Sequence, residues 1–288
     1  AIPSVLGYFV LPLQLGARGL ALPGMARWSL ICYVVGLVLL LVSLMGGPIA
    51  TGWELAAPLA ITDSGLFGLV VFGLFFTALG WFLTGVNFVV TVHHHRAEGM
   101  GFFDMPIMAW SLYLSGYQLV VSGGLFAVVV LYLLAARLTG EGLFGADPFL
   151  WRRYFWFVAT PATFFGLISA IGVVSEVISG ISRKPVAGYR LVVGSLIALL
   201  GLGFVGYGLN LVGYGLDATA TLVVQSLGIL AVIPAAIIAY SWLATLHKGA
   251  IAGGAIPIFV FGFMLHAGIA ALMGLFLGSP AVGSYLGS

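Results

Sequence analysis

Long apolar runs, separated by short groups of glycine, proline and charged residues, are the main pattern of this sequence. A helix needs about 20 apolar residues to cross ~30 Å of hydrocarbon, and seven runs come close to that length or exceed it. They are residues 28–45, 66–92, 106–136, 148–178, 191–211, 222–246 and 256–277. The pattern predicts an all-α membrane protein, a polytopic bundle of about seven full transmembrane helices plus partial ones.

The connections between these runs are short, and each contains helix breakers such as those at 46–48, 140–142, 183–185 and 249–254. No internal repeat divides the chain, so we predict one transmembrane domain over residues 1–288. The apolar stretch 5–15 is too short to span a membrane alone. We interpret it as the end of a helix that begins earlier, and we expect the chain to be part of a longer one.

Composition supports lipid as the surrounding solvent. Hydrophobic residues make up 62% of the 288 positions and charged residues 6%, against about 25% charged in an ordinary soluble domain. A formal net charge of +2 without clustered Lys and Arg argues against a nucleic-acid partner. The single cysteine, Cys32, excludes an intrachain disulfide.

The distribution of Lys and Arg predicts the orientation of the helices. If the spans alternate in direction, one side receives seven of the ten basic residues. By the positive-inside rule this side is cytoplasmic, and we expect a bacterial or archaeal plasma membrane. The seven are Arg18, Arg27, Arg96, Arg183, Lys184, Arg190 and Lys248; the other three are Arg137, Arg152 and Arg153.

Short sequence landmarks occur in a recognisable order along nearly the whole chain. They include LPL at 11–13, TGW at 51–53, DPFLW at 147–151, RKPVAGY at 183–189 and SWLATLH at 241–247. In order and spacing these segments resemble subunit I of the heme-copper oxidases, the cytochrome c oxidase subunit I family. The resemblance implies part of a twelve-helix fold and a role in a respiratory membrane complex.

The same resemblance implies which positions would carry the family's chemistry, and there this chain departs from the family. Three histidines that hold copper in the family correspond here to Thr160, Leu209 and Asn210. On its sixth helix the family has a glutamate and a cross-linked tyrosine, and on its eighth helix a threonine and a lysine of a proton path. The resemblance aligns these four positions, in the same order, with residues that lack those groups: Ala162, Phe164, Gly228 and Ile238.

Copper is therefore not expected in this chain. No histidine lies between His95 and His247, so a shift of the alignment by a residue would not restore an imidazole ligand set. Heme remains possible, because the family's heme ligands correspond to positions outside the recorded residues. The missing glutamate and lysine indicate loss of the family's proton paths as well.

Four further features have two interpretations each. His266, near the middle of the last span, is either hydrogen-bonded to a neighbouring helix or a heme ligand or proton relay. The run His93–His95 either anchors the helix at the interface or binds a metal, although consecutive helical residues point about 100° apart. Glu176 either pairs with Arg183 or Lys184 or takes up protons. Trp53 belongs either to an interfacial aromatic belt or to a surface where electrons arrive.

These observations favour a subunit I-like component of a respiratory complex that acts as a scaffold or in electron transfer, without a copper site for oxygen reduction. We expect its partners to be lipid and other subunits, including a redox-carrying protein. Two alternatives remain open. One is an active terminal oxidase, which the family resemblance favours and the missing ligands oppose. The other is a transporter or channel, which broken helices and paired charges at the membrane midplane would favour.

Overall fold

A computed structural model describes residues 2–47, 54–55, 66–139, 148–212, 216–251 and 254–278. These residues form long helices joined by short connections. The helices are α1 (Ile2–Gln14), α2 (Pro23–Ser43), α3 (Phe67–His94), α4 (Ile107–Thr139), α5 (Pro148–Ser182), α6 (Tyr189–Val205), α7 (Ala218–Leu230), α8 (Val232–Leu246) and α9 (Ala255–Gly278). Short 3₁₀ segments occupy Leu44–Gly46, Phe102–Asp104 and Gly206–Leu211.

The predicted transmembrane bundle is confirmed. Within the described residues, seven apolar segments are long enough to cross a membrane, and their bounds lie within a few residues of the runs predicted from the sequence. They are Pro23–Gly46, Phe67–His94, Ile107–Ala136, Leu150–Ser182, Tyr189–Leu211, Ala218–Leu246 and Ala255–Phe276. The partial helix expected near the N-terminus is α1, whose 13 residues cover only about 20 Å.

Glycines bring the helices of the first half into close contact. α3 lies between α2 and α4, and α4 packs in turn against α5. A Cβ atom added at Gly85 of α3 would lie 2.5 Å from the carbonyl oxygen of Gly116 in α4, and one at Gly123 would lie 2.8 Å from that of Ala78. Because only glycine permits this separation, close backbone approach replaces side-chain interdigitation at these crossings.

Two spans are not continuous α-helices, although the sequence suggests unbroken runs there. The span that begins with α6 tightens into the 3₁₀ segment Gly206–Leu211, which carries Leu209 and Asn210. The next span is interrupted at Ala231, between α7 and α8. Pro234 lacks an N–H to donate to the carbonyl of Leu230, which accounts for the break. Ala231 keeps right-handed helical angles, so this is a bend and not an unwound segment.

The connections after α3, α5 and α8 lie at one end of the bundle, which we call the Arg96 end. Lys184 Nζ donates a hydrogen bond of 2.8 Å to the carbonyl of His247, and the Ala97 N–H donates to the carbonyl of Leu15. The connections at the opposite end, which we call the Trp151 end, include the 54–55 segment and the start of α5.

Alternation of the spans predicts that Glu98 and Ala218 face opposite sides of the membrane. Both residues are exposed, Glu98 at the Arg96 end and Ala218 at the start of α7. In a Cys32→Ala background, we expect Glu98→Cys to react with an impermeant maleimide only from the cytoplasmic side and Ala218→Cys only from the other side. Labelling of both positions from the same side of oriented vesicles would refute this topology.

Candidate functional site

A cavity of about 210 Å³ lies between α5, the 3₁₀ segment after α6, and α7. Five of the seven positions singled out by the family resemblance line it, on three separate elements of the fold. Its lining residues are Thr160, Phe164, Leu202, Gly206, Leu209, Asn210, Leu227, Gly228 and Ala231. The structure therefore brings together residues up to 71 positions apart in sequence, from Thr160 to Ala231. We call this space the α5–α7 cavity.

The polar groups of the α5–α7 cavity bind each other. Asn210 Nδ2 donates a hydrogen bond of 3.1 Å to Thr160 Oγ1. Thr160 lies at 7% exposure on α5, and its carbonyl accepts a hydrogen bond of 2.7 Å from Thr163 Oγ1. The two side chains that the family resemblance aligns with copper ligands are thus in direct contact, and they carry an amide and a hydroxyl.

Leu209 and Gly228 pack against each other where the two interrupted spans meet. A Cβ at Gly228 would lie 2.8 Å from Leu209 Cδ1, so the absence of a side chain at Gly228 accommodates the leucine. Phe164 packs on Gly203 of α6. Leu209 offers no donor atom to a metal, and these neighbours are apolar as well.

Two of the seven positions do not line the α5–α7 cavity. Ile238 of α8 is 2% exposed and belongs to the main hydrophobic core. Ala162 is half-buried on α5. Neither position carries a group that can hold or transfer a proton.

An ion pair supports the α5–α7 cavity from the Trp151 end. Arg152 Nη1 lies 3.5 Å from Glu54 Oε2, and Arg152 Nε donates to the carbonyl of Asn210 at 3.5 Å. Trp151 Nε1 donates a hydrogen bond of 2.8 Å to the carbonyl of Glu54. The sequence alone does not indicate this arrangement, in which the start of α5 holds both the 54–55 segment and the backbone that carries Asn210.

His266 lies on an exposed face of α9. Its Nδ1 donates a hydrogen bond of 2.7 Å to the carbonyl of Gly262, one turn earlier in the same helix. The expected bond to a neighbouring helix is therefore replaced by one within α9. In the neutral imidazole this hydrogen bond leaves the Nε2 lone pair free. A role for His266 as heme ligand or relay stays a prediction.

The three consecutive histidines at the end of α3 do not converge. His93 turns towards α4, where its Nε2 lies 2.8 Å from the hydroxyl of Tyr113, which in turn lies 2.9 Å from that of Tyr117. His94 and His95 are exposed. Among the described residues, no group of three His, Cys, Asp or Glu side chains lies close enough to hold a metal ion.

Glu176 does not form the ion pair suggested by the sequence. Its side chain is exposed on α5 and lies beyond salt-bridge distance of Arg183 and Lys184. Lys184 instead caps the end of α8 through its hydrogen bond to the carbonyl of His247. A proton-uptake role for Glu176 stays a hypothesis. Trp53 lies outside the described residues, so its two interpretations remain as they were.

Comparison with known proteins identifies the family of this chain. The profile of the family described as cytochrome c and quinol oxidase polypeptide I matches residues 1–287. The chain belongs to this oxidase subunit I family. With seven candidate spans in the part of the chain that the structure describes, it is an integral, multi-pass protein of the plasma membrane.

Two bacterial relatives show the extent of the similarity. Quinol oxidase subunit 1 of Bacillus subtilis is 30% identical over 296 aligned positions, which cover 98% of this chain and 45% of the relative. Cytochrome c oxidase subunit 1 of Cereibacter sphaeroides is 28% identical over 298 positions, covering 99% and 53% respectively. The chain thus spans about half the length of the relatives that it matches.

Proposed function

We propose that this protein is a subunit I-like component of a respiratory membrane complex that serves as a scaffold or in electron transfer and lacks a copper site for oxygen reduction. The observation that carries the proposal is the hydrogen bond from Asn210 to Thr160. It joins two of the three positions that correspond to the family's copper ligands, and the third position, Leu209, is apolar.

The donor set of the α5–α7 cavity does not fit copper. Protein sites for Cu(I) and Cu(II) use imidazole nitrogen or sulfur ligands. The α5–α7 cavity offers one hydroxyl and one carboxamide, each already paired with the other. Since neither is an imidazole or a thiolate, we assign no step of oxygen chemistry to these residues.

We also propose heme as the cofactor of this chain, and the resemblance aligns the family's heme ligands with positions outside residues 1–288. A bound heme supplies one-electron transfer through its iron. Within this chain, His266 is the candidate ligand, because the Nδ1–H bond to the carbonyl of Gly262 leaves Nε2 free and fixes the ring orientation. The residue's exposure on α9 leaves that nitrogen accessible to a group outside the described helices.

The first alternative is an active terminal oxidase, which the names of the relatives favour. The second is a transporter or channel, and the interrupted spans after α6 and α7 give it some support. However, the ion pair between Arg152 and Glu54 lies at a helix end and not at the membrane midplane. The bend at Ala231 also keeps helical geometry, so no unwound backbone opens there.

Metal and protein analysis of the complex, purified through a tag on this chain, separates these functions. We expect heme iron without stoichiometric copper, together with other subunits that include a redox-carrying protein. Heme without copper supports electron transfer, and the absence of both from an assembled complex supports a scaffold. Stoichiometric copper assigned to this chain, or isolation as a fully functional monomer, would contradict the proposal.

A further inference from the structure

Four polar side chains form a line along one face of α4. Ser111, Ser115, Gln118 and Ser122 follow each other at intervals of four, three and four residues, which places them on the same side of a helix. Each is at most 2% exposed. A buried polar line within an apolar transmembrane helix is costly unless each group has a partner.

This face of α4 packs against α5. Ser115 Oγ lies 3.0 Å from Ser169 Oγ, and a Cβ added at Gly172 would collide with the Ser111 hydroxyl. Because the helices are antiparallel, the contact moves down α5 as it moves up α4. The next two positions, Gln118 and Ser122, lie about one and two turns further along the same face of α4.

Gln118 and Ser122 have no partner for their buried polar atoms. Gln118 is fully buried, and neither its Oε1 nor its Nε2 makes a hydrogen bond. The hydroxyl of Ser122 is also buried and makes no hydrogen bond. Ser175, elsewhere on α5, shows the ordinary arrangement: it donates to the carbonyl of Ile171 at 2.7 Å and accepts from Trp242 Nε1 at 2.8 Å. The unpaired amide thus needs a ligand.

That ligand must be small, uncharged, and able both to donate and to accept. Gln118 is covered entirely by helices of this chain, so neither a lipid headgroup nor the side chain of another subunit reaches it. Water meets these requirements, and buried water commonly satisfies such groups.

We propose that Gln118 and Ser122 bind internal water between α4 and α5, so that this helix contact is hydrated. Water held there donates to Gln118 Oε1 and accepts from Gln118 Nε2, and it completes the hydrogen bonding of Ser122. The inference rests on the packing of α4 and α5 and is independent of the function proposed above.

The substitution Gln118→Met tests this hydration, because methionine keeps the length of the side chain but has neither the carbonyl nor the N–H groups that would hold water. If water satisfies the amide, its removal should lower the thermal midpoint of the detergent-solubilised complex by about 3 °C. Leu119→Met is the matched control, since Leu119 is 3% exposed and faces Gly85 of α3, and its midpoint should shift less. An unchanged or higher midpoint for Gln118→Met would overturn the proposal, because removing an unpaired buried amide does not destabilise a protein.

The unmodified complex gives a second test that does not depend on how the variants fold. In a cryo-electron microscopy map that resolves water, we expect density within about 3.2 Å of the Gln118 amide. A map that resolves water elsewhere in the bundle but shows a dry Gln118, or pairs its amide with another side chain, would overturn the proposal.

Discussion

Gly85→Leu should prevent stable packing of α3 on α4. A Cβ at Gly85 would lie 2.5 Å from the carbonyl oxygen of Gly116 and 2.8 Å from the backbone nitrogen of Val120. Backbone atoms cannot rotate away as a flexible side chain can, so the two helices must separate. We expect a loss of stability on the order of 3 kcal/mol and a marked fall in the yield of folded protein.

Gly201→Leu is the matched control for this prediction. Gly201 also lies within a span, but a Cβ there meets nothing within 4 Å. Its substitution should change stability by less than about 1 kcal/mol, since leucine is the better helix former. The measurement is the thermal midpoint of the detergent-solubilised complex, with yield on gel filtration. Equal effects of the two substitutions would show that glycine contacts do not hold α3 and α4 together.

The spans could be predicted closely because lipid imposes a simple requirement. A backbone in hydrocarbon must satisfy its own hydrogen bonds, so a long apolar run becomes a helix whatever its neighbours are. The departures have local causes that hydropathy does not contain. Pro234 is visible in the sequence, but a proline within an apolar run can bend or end a helix. The 3₁₀ turn that carries Asn210 leaves no signal in the apolar pattern.

The candidate site was predictable only as far as the family resemblance reached. That resemblance placed Thr160, Leu209 and Asn210 at one site, and the structure brings them around one cavity. It gave no indication of Arg152, whose partners Glu54 and Asn210 lie far from it in the chain and at no regular spacing. The unpaired amide of Gln118 was equally hidden, because a missing hydrogen bond depends on every helix around the residue.

Histidine at all three positions of the α5–α7 cavity should create a copper site. The direct bond between Asn210 and Thr160 shows that side chains at these two positions meet, and Leu209 borders the same cavity. The combined variant Thr160→His, Leu209→His and Asn210→His would place three imidazoles there, the type of donor that copper prefers. We expect copper to rise from below about 0.1 to about one atom per chain, measured by elemental analysis and electron paramagnetic resonance.

Thr160→His alone serves as the control, since one imidazole beside an amide and a leucine does not form a copper site of comparable affinity. The two measurements test separate claims. Stoichiometric copper in the unsubstituted protein would show that residues other than these three bind the metal, and it would favour the active oxidase. A folded triple variant without copper would show instead that positions 160, 209 and 210 do not converge on one ion. The assignment of the α5–α7 cavity as a former copper site would then fail, although membership of the oxidase subunit I family would stand.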